Sequence, residues 1–382
     1  MCKKIGILGA TGSVGMQTID IARINGYSVD FLTANRDVKT IEALAREFKP
    51  RVVVMAQEEA ALDLRTRLSD TNIKVLSGES GINEAVSTSE KLTVLNSILG
   101  KAGLAPTLSV IEAGHRLALA NKESLVIAGE IVMPLAKQRG VDIIPVDSEH
   151  SAIFQSLNSG KREEIKKIIL TASGGPFYGK SARELKDVTL EEALIHPTWK
   201  MGKKITVDSA TLMNKGFEVI EAVHLFGVPA ERVEVVIHRE SILHSAVEYI
   251  DNTIIGEFSV PDMRGCIQYA VDYPHRTQGV IDELDFFSLG KLTFAKPDVE
   301  AFPLLSLARE TISLGGAVPA ALNAADEVAV EAFLSGRIGF SAIFDAVFQT
   351  VDRLKNDACR LTSLSDILSV DEEARRVASS LI

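Results

Sequence analysis

The sequence predicts an α/β protein with an N-terminal Rossmann-like parallel sheet, a central α/β segment and a C-terminal α-helical bundle. Three observations support this fold class. Short β-rich runs alternate with helical stretches up to residue 146, both patterns stay mixed through the middle, and the chain beyond residue 303 is almost purely helical. Regular alternation of strands and helices is typical of a parallel sheet covered on both faces.

The N-terminal part, residues 1–146, contains the β-rich runs of this sheet. They are KIGIL, YSVDFLT, RVVVM, IKVL, LTVL, RLALA and VDIIPV. Between them, apolar residues recur at helical spacing, as in residues 37–48 and 122–139. We therefore expect residues 1–146 to form a doubly wound domain, in which ligands bind outside the carboxyl ends of the strands.

The middle part, residues 147–276, is predicted to form a second α/β domain. Strand patterns occur at EIKKIILTA, KKITV, VEVVIH and TIIGEFSV, and a helical pattern covers residues 210–226. Asp208 and Ser209 precede that helix and are residue types that often cap helix N-termini. Residues 277–303 lack a regular period, which predicts a linker.

The last part, residues 304–382, predicts a small helical domain without a catalytic motif. Helical spacing covers residues 304–314, 319–334, 341–354 and 371–381. Pro319 at the start of the second helix and Gly336 after its end agree with the usual chemistry of helix ends.

Composition excludes several functional classes. The formal net charge of the 382-residue chain is -10, so it lacks the basic field that attracts nucleic acid or anionic lipid. The three cysteines are far apart, which argues against a disulfide framework. The N-terminal apolar run is too short for a signal peptide, and the later apolar segments are interrupted by charges. We expect a cytoplasmic protein with no nucleic-acid or membrane partner.

A glycine-rich loop follows the first strand. The segment GATGSVG, residues 9–15, spaces its glycines as a variant of the dinucleotide fingerprint, in which tight turns bring the backbone close to a pyrophosphate at a helix N-terminus. An ordinary turn between strand and helix is the alternative.

The turn after the second strand bears on the choice between NADP and NAD. It reads Asn35-Arg36-Asp37, and an arginine at this position suits a 2′-phosphate. The neighbouring Asp37 weakens this argument, and Arg36 could instead be a solvated charge at the start of the next helix.

Polar residues follow two later strands at the same predicted edge. Lys122 follows RLALA, and Asp147 and Glu149 follow VDIIPV. If the strand continued, the two carboxylates would point to one side, and their repulsion would require a shared proton, a cationic side chain or a metal ion. Alternatively, Lys122 is a charge at a helix start, and the carboxylates cap the helix over residues 151–157.

The helix over residues 210–226 has two distinct stripes. The apolar stripe includes His224, which favours a histidine of the core over a ligand. The other stripe carries Asn214, Lys215 and Glu218, which a solvated helix face with an i,i+3 ion pair would also explain.

Two loops of the middle part are candidates for ligand contact. The glycine turn in LTASGGPF exposes backbone amides that can bind an anion, although most such turns only redirect the chain. The segment IHPTWKMGKK places the chain's one tryptophan among proline, glycine and lysines, which predicts a lid.

Several blocks together resemble the 1-deoxy-D-xylulose 5-phosphate reductoisomerase family. The blocks are NKES, PVDSEHSAIFQ, ASGGPF, HPTW, MGKKITVDSATLMNKG and PDMR, and they occur in order along nearly the whole chain. The resemblance implies NADPH-dependent conversion of a small phosphorylated ketose, 1-deoxy-D-xylulose 5-phosphate, to 2-C-methyl-D-erythritol 4-phosphate for isoprenoid precursors. It also implies a V-shaped homodimer whose catalytic domain has a flexible lid at about residues 193–203.

The resemblance also implies roles for individual residues. A divalent cation, Mg²⁺ or Mn²⁺, would be bound by Asp147, Glu149 and Glu218, which with Lys122 form the catalytic group. The substrate would contact Lys122, Ser148, Glu149, Ser173, His196, Trp199, Ser209, Asn214, Lys215 and Glu218. NADPH would contact Thr11, Gly12, Ser13, Val14, Asn35, Arg36, Asp37, Asn121, Glu123 and Gly202.

Two rival readings remain at the level of sequence. An NADP-dependent semialdehyde dehydrogenase can have a similar glycine loop but requires a thiolate with a partnering base, and Cys2, Cys266 and Cys359 have no evident base motif nearby. A catalytically silent NADP sensor is the other, but it would not need three carboxylates and a phosphate cluster.

Overall fold

A computed structural model describes residues 3–199 and 201–382. The strands are β1 Lys4–Leu8, β2 Ser28–Ala34, β3 Val52–Met55, β4 Lys74–Ser77, β5 Thr93–Asn96, β6 Arg116–Leu119, β7 Ile143–Pro145, β8 Ile165–Ala172, β9 Val233–Ile237, β10 Leu243–Tyr249 and β11 Ile254–Phe258. The helices are α1 Ser13–Asn25, α2 Val38–Phe48, α3 Glu58–Arg67, α4 Gly78–Ser87, α5 Leu104–Glu112, α6 Glu123–Arg139, α7 Ser148–Ser156, α8 Leu190–Ala193, α9 Lys203–Ala210, α10 Met213–Phe226, α11 Met263–Asp272, α12 Phe286–Leu289, α13 Leu304–Leu314, α14 Val318–Leu334, α15 Phe340–Ala358 and α16 Leu364–Ser380.

One compact unit contains the chain up to Ser124 together with Val132–Ser151 and Asp262–Asp282. Its core is a seven-stranded parallel sheet of order β4-β3-β2-β1-β5-β6-β7. All seven β-rich runs of the N-terminal sequence therefore form strands, as predicted. The central strands are apolar and buried, as expected where helices cover both faces of a sheet.

The order of the strands reverses at β1, which pairs with β2 on one side and β5 on the other. In open parallel sheets, the crevice outside the carboxyl ends of the strands at such a reversal is the usual ligand site. The loop that follows β1 lies at this position.

A distant part of the chain completes this unit. Helix α11 packs against α1, and the buried carboxylate of Asp272 at its end accepts hydrogen bonds from the Tyr27 hydroxyl and from Lys3 Nζ, at 2.6 and 3.1 Å. Helix α11 was not predicted, because the segment around it has many polar residues.

The other unit contains Leu125–Ile131, Ala152–Pro261 and Glu283–Ile382. It has a four-stranded sheet of order β11-β10-β8-β9, in which only β8 and β9 are parallel. Strand β10 was not predicted. All of its residues are buried, so it lacks the alternation of polar and apolar residues that identifies a half-exposed strand.

The prediction of a strand at KKITV is wrong, because these residues begin helix α9. Ile205, Thr206 and Val207 have high β propensity, but the helix buries Thr206 and Val207, and the hydroxyl of Thr206 donates to the carbonyl of Gly202 at 2.8 Å. Tertiary burial overrides a local preference of this size.

The predicted capping role of Asp208 and Ser209 is also wrong, because both lie inside α9. What the sequence presented as one helix from residue 210 is two helices, α9 and α10. They are separated at Leu212, whose φ of 60° lies in the left-handed region and interrupts the helix.

The C-terminal helices confirm the predicted bundle. Helix α14 is rich in alanine and mostly buried, and α15 and α16 pack against it. Helix α16 begins at Leu364, earlier than predicted, because Ser363 and Asp366 form a capping box. In the described residues, no helix is long and apolar enough to cross a membrane, and Cys266 and Cys359 form no disulfide.

Candidate active site

The glycine loop ends β1 and starts α1, as predicted. Helix α1 begins at Ser13, and its first internal hydrogen bond joins the amide of Met16 to the carbonyl of Gly12 at 2.8 Å. The amides of the first turn therefore lack acceptors within the helix and can bind an anion. Gly9 adopts φ +84°, which favours glycine.

Gly15 is required by close packing of the helix on the loop. A Cβ atom there would lie 2.2 Å from the carbonyl oxygen of Gly9, which real atoms do not tolerate. Thr33 at the end of β2 orders the same loop, because its hydroxyl and carbonyl oxygens accept from the amides of Gly9 and Ala10 at 2.9 and 2.8 Å.

The Asn35-Arg36-Asp37 turn is exposed at the end of β2. The carboxylate of Asp37 accepts from the amide of Thr40 at 3.0 Å and caps α2, and this hydrogen bond lowers the pKa of Asp37. Asp37 is therefore engaged as a cap. Arg36 is exposed beside it.

Asn121 and Glu123 lie at the end of β6, as predicted, but Asn121 is buried. Its amide nitrogen donates to the carbonyls of Ile98 and Gly100 and to Glu123 Oε2, at 2.7, 2.9 and 2.9 Å. Asn121 thus ties the loop after β5 to the start of α6, and its side chain shapes the crevice edge.

Lys122 and Asp147 meet at the carboxyl ends of β6 and β7. Lys122 Nζ lies 3.1 Å from Asp147 Oδ2, and the two side chains are 13% and 20% exposed. Asp147 Oδ1 accepts from the amides of Glu149 and His150, both at 3.1 Å, and so caps α7. The charged group and the helix cap, which the sequence presented as alternatives, occur together.

The expected strand alternation from Asp147 to Glu149 is wrong. Strand β7 ends at Pro145 and α7 begins at Ser148, so Glu149 projects from the first turn of a helix. The hydroxyl of Ser148 donates to Glu149 Oε2 at 2.5 Å. His150, to which the sequence assigned no role, is buried, and its Nδ1 lies 3.3 Å from Asp147 Oδ1.

In the other unit, the glycine turn after β8 contains Ser173, whose hydroxyl lies 2.9 Å from His196 Nε2. His196 Nδ1 accepts from the backbone amides of Thr198 and Trp199 at 3.2 and 2.9 Å. Because Nδ1 accepts, the ring proton of neutral His196 is on Nε2 and points at the Ser173 oxygen, which also accepts from the amide of Gly175 at 3.2 Å. The hydroxyl proton of Ser173 is then available to a ligand.

Arg239 supports this glycine turn and was missed by the sequence analysis. Its guanidinium donates to the carbonyl oxygens of Ser173 and Gly175, both at 2.7 Å, and lies over the ring of Tyr178. Arg239 follows the end of β9, which is parallel to β8. Applying the rule of shared strand ends to VEVVIH as well would have identified it.

Asn214, Lys215 and Glu218 form one hydrogen-bonded group on α10. Asn214 Nδ2 donates to Glu218 Oε1 at 2.6 Å, and Lys215 Nζ bonds to the other carboxylate oxygen. The side chains of Lys215 and Glu218 are only 5% and 1% exposed. A solvated helix face, the alternative explanation, is therefore wrong for these residues.

Ser209 at the end of α9 packs against the glycine turn. A Cβ atom on Gly175, whose φ is +66°, would lie 2.6 Å from the carbonyl oxygen of Ser209. The turn containing Ser173 and the end of α9 are therefore in direct contact.

The predicted lid lies in the loop between α8 and α9. The ring of Trp199 is 6.1 Å from that of His244, and the hydroxyl of Thr198 is 3.2 Å from that of Ser241. Gly202 caps α9. Lys200, which is part of the predicted lid, lies outside the described residues.

The fold and these clusters are those of a dinucleotide-dependent α/β oxidoreductase. Family models cover most of the chain: 1-deoxy-D-xylulose 5-phosphate reductoisomerase over residues 5–129, its C-terminal domain over residues 143–226, and a DXP reductoisomerase C-terminal domain over residues 258–377. The chain belongs to the 1-deoxy-D-xylulose 5-phosphate reductoisomerase family.

Relatives and solved structures agree with this family. The 1-deoxy-D-xylulose 5-phosphate reductoisomerase of Caldanaerobacter subterraneus subsp. tengcongensis is 50% identical over 98% of this chain and 97% of its own. The Zymomonas mobilis enzyme of that name, solved with NADPH, is 42% identical with a TM-score of 0.94, covering 100% and 99% of the two chains. A DOX-P reductoisomerase solved with NADPH, fosmidomycin and magnesium is 39% identical with a TM-score of 0.92, covering 99% and 98%.

Proposed function

We propose that this chain catalyses the NADPH- and divalent-metal-dependent conversion of 1-deoxy-D-xylulose 5-phosphate to 2-C-methyl-D-erythritol 4-phosphate in non-mevalonate isoprenoid precursor biosynthesis. The observation that carries the proposal is the match, over nearly the full length of both chains, to a relative of that name at 50% identity. The semialdehyde dehydrogenase reading has no support, because the described cysteines lie in α11 and at the end of α15.

NADPH is the proposed cofactor, and related structures are solved with it. The proposed contacts are the first turn of α1, Asn35 to Asp37, Asn121, Glu123 and Gly202. The open amides of α1 suit the pyrophosphate, and the exposed Arg36 suits a 2′-phosphate because a guanidinium pairs with phosphate oxygens in two places. Glu123 lies at the edge of the same crevice.

Asp147, Glu149 and Glu218 are the proposed ligands of Mg²⁺ or Mn²⁺, and a related structure is solved with magnesium. Carboxylate oxygens are the donors that such hard cations prefer. Glu218 is almost fully buried and pairs with Lys215 Nζ, so its carboxylate is held in the charged form that a metal ligand requires. Beside it, Asn214 Oδ1 is buried without a hydrogen-bond partner in the described part of the chain. The residues present therefore fit a bound cation.

The substrate phosphate is assigned to Ser173, Ser209, Asn214 and Lys215. The tautomer of His196 supports this assignment, because it directs its own proton to the Ser173 oxygen and leaves the serine proton for a phosphate oxygen. Lys215 adds a positive charge in a buried position, where electrostatic interactions are stronger than in water. A grip on the phosphate supplies binding energy that can close the lid.

The remaining residues are assigned to the sugar end of the substrate. A bound divalent cation would polarise the substrate carbonyl, and NADPH would supply hydride. Lys122, held by Asp147, places an ammonium group near the developing oxygen charge, and Ser148 adds a hydroxyl. Closure of Trp199 over the substrate excludes water, which strengthens these interactions.

The protein is further proposed to be a cytoplasmic homodimer with the domain boundaries predicted above. Support for the dimer comes from one surface of the second unit. Strand β11 lies at a sheet edge, and Phe258, Phe286 and Phe287 are 42%, 64% and 99% exposed beside it. The rings of Phe258 and Phe286 are 6.4 Å apart, so the patch is continuous there. Exposed apolar patches of this kind mark association surfaces.

An assay of NADPH oxidation tests the proposed reaction. The purified chain should oxidise NADPH only when both 1-deoxy-D-xylulose 5-phosphate and Mg²⁺ or Mn²⁺ are present. Glu218→Gln should lower kcat on the order of 10³-fold, because it removes a charge proposed to act in the transition state, while the Kd for NADPH stays within about twofold. Glu231→Gln changes an exposed glutamate and is the matched control.

Two outcomes would contradict this function. One is activity that survives complete chelation of divalent metal. The other is loss of NADPH affinity in Glu218→Gln, which would move the assignment of Glu218 from the metal to the cofactor.

A further inference from the structure

A second charged cluster lies in the unit that contains β8 to β11, outside the proposed contacts. Lys204 Nζ on α9 lies 2.6 Å from Asp208 Oδ2 of the same helix and 2.7 Å from Asp326 Oδ2 of α14. The two carboxylate side chains are 5% and 0% exposed. One ammonium group therefore holds two buried carboxyl groups from separate parts of the chain.

The same ammonium group contacts a third element. It lies 5.2 Å from the centre of the Phe217 ring on α10, in the geometry of a cation–π contact. Helix α10 carries Asn214, Lys215 and Glu218. Lys204 is thus the point at which α9, α10 and the C-terminal helix α14 are joined.

The elements joined at Lys204 are those that carry the proposed phosphate site. Ser209 ends the helix that contains Lys204, and its carbonyl oxygen packs against Gly175 without room for a side chain. A shift of α9 along its axis would therefore move Ser209 against the turn that holds Ser173. The glycine turn is restrained from moving with α9, because the Arg239 guanidinium donates hydrogen bonds to the carbonyl oxygens of both Ser173 and Gly175.

We propose that Lys204 is a positioning residue for the phosphate-binding cluster, and that it fixes α9 and α10 by tying them to the C-terminal bundle through Asp208 and Asp326. This inference rests on the proposed function of Ser173, Ser209, Asn214 and Lys215. It assigns a role to the helical bundle, which contains no catalytic motif of its own. The ligand whose binding depends on this tie is the phosphate group of the substrate.

The electrostatics of the cluster favour a charged Lys204. Burial disfavours a charged ammonium, but the two carboxylates outweigh it and raise the pKa of Lys204. Burial raises the pKa of Asp208 well above its ordinary value, aided by the neighbouring Asp326 and opposed by Lys204. Removing the cation would leave two buried acids without compensation, so the helices would separate to admit water.

The test compares Lys204→Met with Lys166→Met in the full-length protein. Lys166 is also paired with a carboxylate, Glu248, at 2.6 Å, but it is exposed on strand β8. For Lys204→Met we expect the KM for 1-deoxy-D-xylulose 5-phosphate to rise roughly 10- to 100-fold, because small misplacements of binding groups have effects of this size. The KM for NADPH should rise much less, since Gly202 at the start of α9 is the one proposed cofactor contact outside the first unit. Lys166→Met should leave both constants unchanged.

A binding measurement separates positioning from turnover. Trp199 is the one tryptophan of the chain. Because it is proposed to close over the substrate, its fluorescence should change when the substrate binds in the absence of NADPH. The Kd for 1-deoxy-D-xylulose 5-phosphate obtained in this way should rise in Lys204→Met by the same factor as the KM. Thermal unfolding, recorded in parallel, establishes that the variant is folded.

Each outcome decides the proposal. An unchanged KM for the substrate in folded Lys204→Met, or an equal rise in both KM values, would overturn it. If Lys204→Met does not fold, Asp326→Asn keeps the shape and the Lys204–Asp208 pair but weakens the link to α14. It should raise the substrate KM about threefold or more, and no rise would overturn the proposal. An inactive wild-type protein with metal present would instead refute the proposed function itself.

Discussion

At the scale of single residues, the glycine loop between β1 and α1 depends on the lack of a side chain at Gly15. The carbonyl oxygen of Gly9 occupies the space in which a Cβ atom would lie. The sequence pattern suggests that glycine is needed at this position, and the structure shows the steric contact that requires it. Arg36 illustrates the opposite case, since its exposed position permits a ligand contact without requiring one.

Gly15→Ala should disrupt the loop. The added methyl group must displace backbone atoms of Gly9 and Ala10, at a cost of about 1–3 kcal/mol in the free energy of unfolding. The Kd for NADPH should rise by about tenfold or more, measured by fluorescence titration. Gly279→Ala is the control, because among the described residues no atom beyond its chain neighbours lies within 4 Å of its Cβ position. Equal NADPH affinity in the two variants would show that the loop does not bind the cofactor.

Arg36→Ala should reduce the preference for NADPH over NADH. Loss of a charge-assisted contact to a 2′-phosphate costs about 1.5–3 kcal/mol, or roughly 10- to 100-fold in the Kd for NADPH, and leaves NADH binding unchanged. Lys39→Ala removes an exposed charge on the following helix and controls for general electrostatics. If both cofactors lose affinity equally, the 2′-phosphate contact lies elsewhere.

At the scale of elements, helices α9 and α10 depart most from local sequence preference. The β-branched run in KKITV favours a strand, yet burial of one face and the Lys204–Asp208 pair at i,i+4 stabilise a helix. Leu212, in the left-handed conformation, then separates α9 from α10. The sequence gives little indication of this break, because leucine rarely adopts that conformation. Both features affect the candidate active site, because they set the positions of Ser209 on α9 and Asn214 on α10.

Helix α10 also packs closely on α6 through His224. A Cβ atom on Gly129 of α6 would lie 2.3 Å from the His224 ring, and the preceding residue Ala128 departs from helical geometry. Burial lowers the pKa of His224 to about 4. The prediction of a core histidine is in agreement with this environment.

His224, whose pKa is lowered by its partly buried position, should make stability depend on pH. Its pKa is about 6.5 in the unfolded chain and lower in the folded protein, so the unfolded state binds the proton more tightly. The contribution of His224 is therefore complete above pH 6.5 and is lost as the pH falls toward 4. Between pH 7.5 and 5 the loss is about 2 kcal/mol.

Denaturant unfolding of His224→Gln tests this dependence. The glutamine does not titrate, so the fall in the free energy of unfolding between pH 7.5 and 5 should be smaller in the variant by about that amount. His275 is exposed, and His275→Gln should keep the slope of the wild-type protein. Identical slopes for wild type and His224→Gln would mean that the ring is solvated.

At the scale of the whole molecule, the surface beside β11 favours association. Its aromatic side chains are exposed on an edge strand, which natural proteins usually cover or protect with charges. The pairing of β11 with β10 on one side leaves the other side of the strand open within the described chain. A second copy of the chain is the proposed cover.

Phe287→Glu should convert a dimer to a monomer in light scattering. Phe287 is 99% exposed, so the substitution costs the isolated subunit little but would bury a charge in an interface. Ile24→Glu changes an apolar residue of α1 that is 60% exposed and should leave the dimer intact. A monomeric wild-type protein, or a dimer unaffected by Phe287→Glu, would exclude this interface.

Much of the fold was readable from local pattern. The seven strands of the parallel sheet, the glycine loop and the four C-terminal helices were predicted because their apolar periods and end signals are local properties. Strand β10 and helix α9 were not, because in both cases burial in the tertiary structure overrides or hides the local period. The roles assigned to Asp147, Glu149 and Glu218 came from resemblance and stay predictions.

The sequence by itself determined the family, the class of fold and the chemical types at the site, because these depend on residue order and local periodicity. Only the tertiary structure decided which polar groups form hydrogen bonds within the fold and which are available to a ligand. Asp37 is a helix cap, Asn121 ties a loop, and the tautomer of His196 follows from two backbone amides. Hydrogen-bond partners and burial depend on residues distant in the chain, which local patterns do not encode.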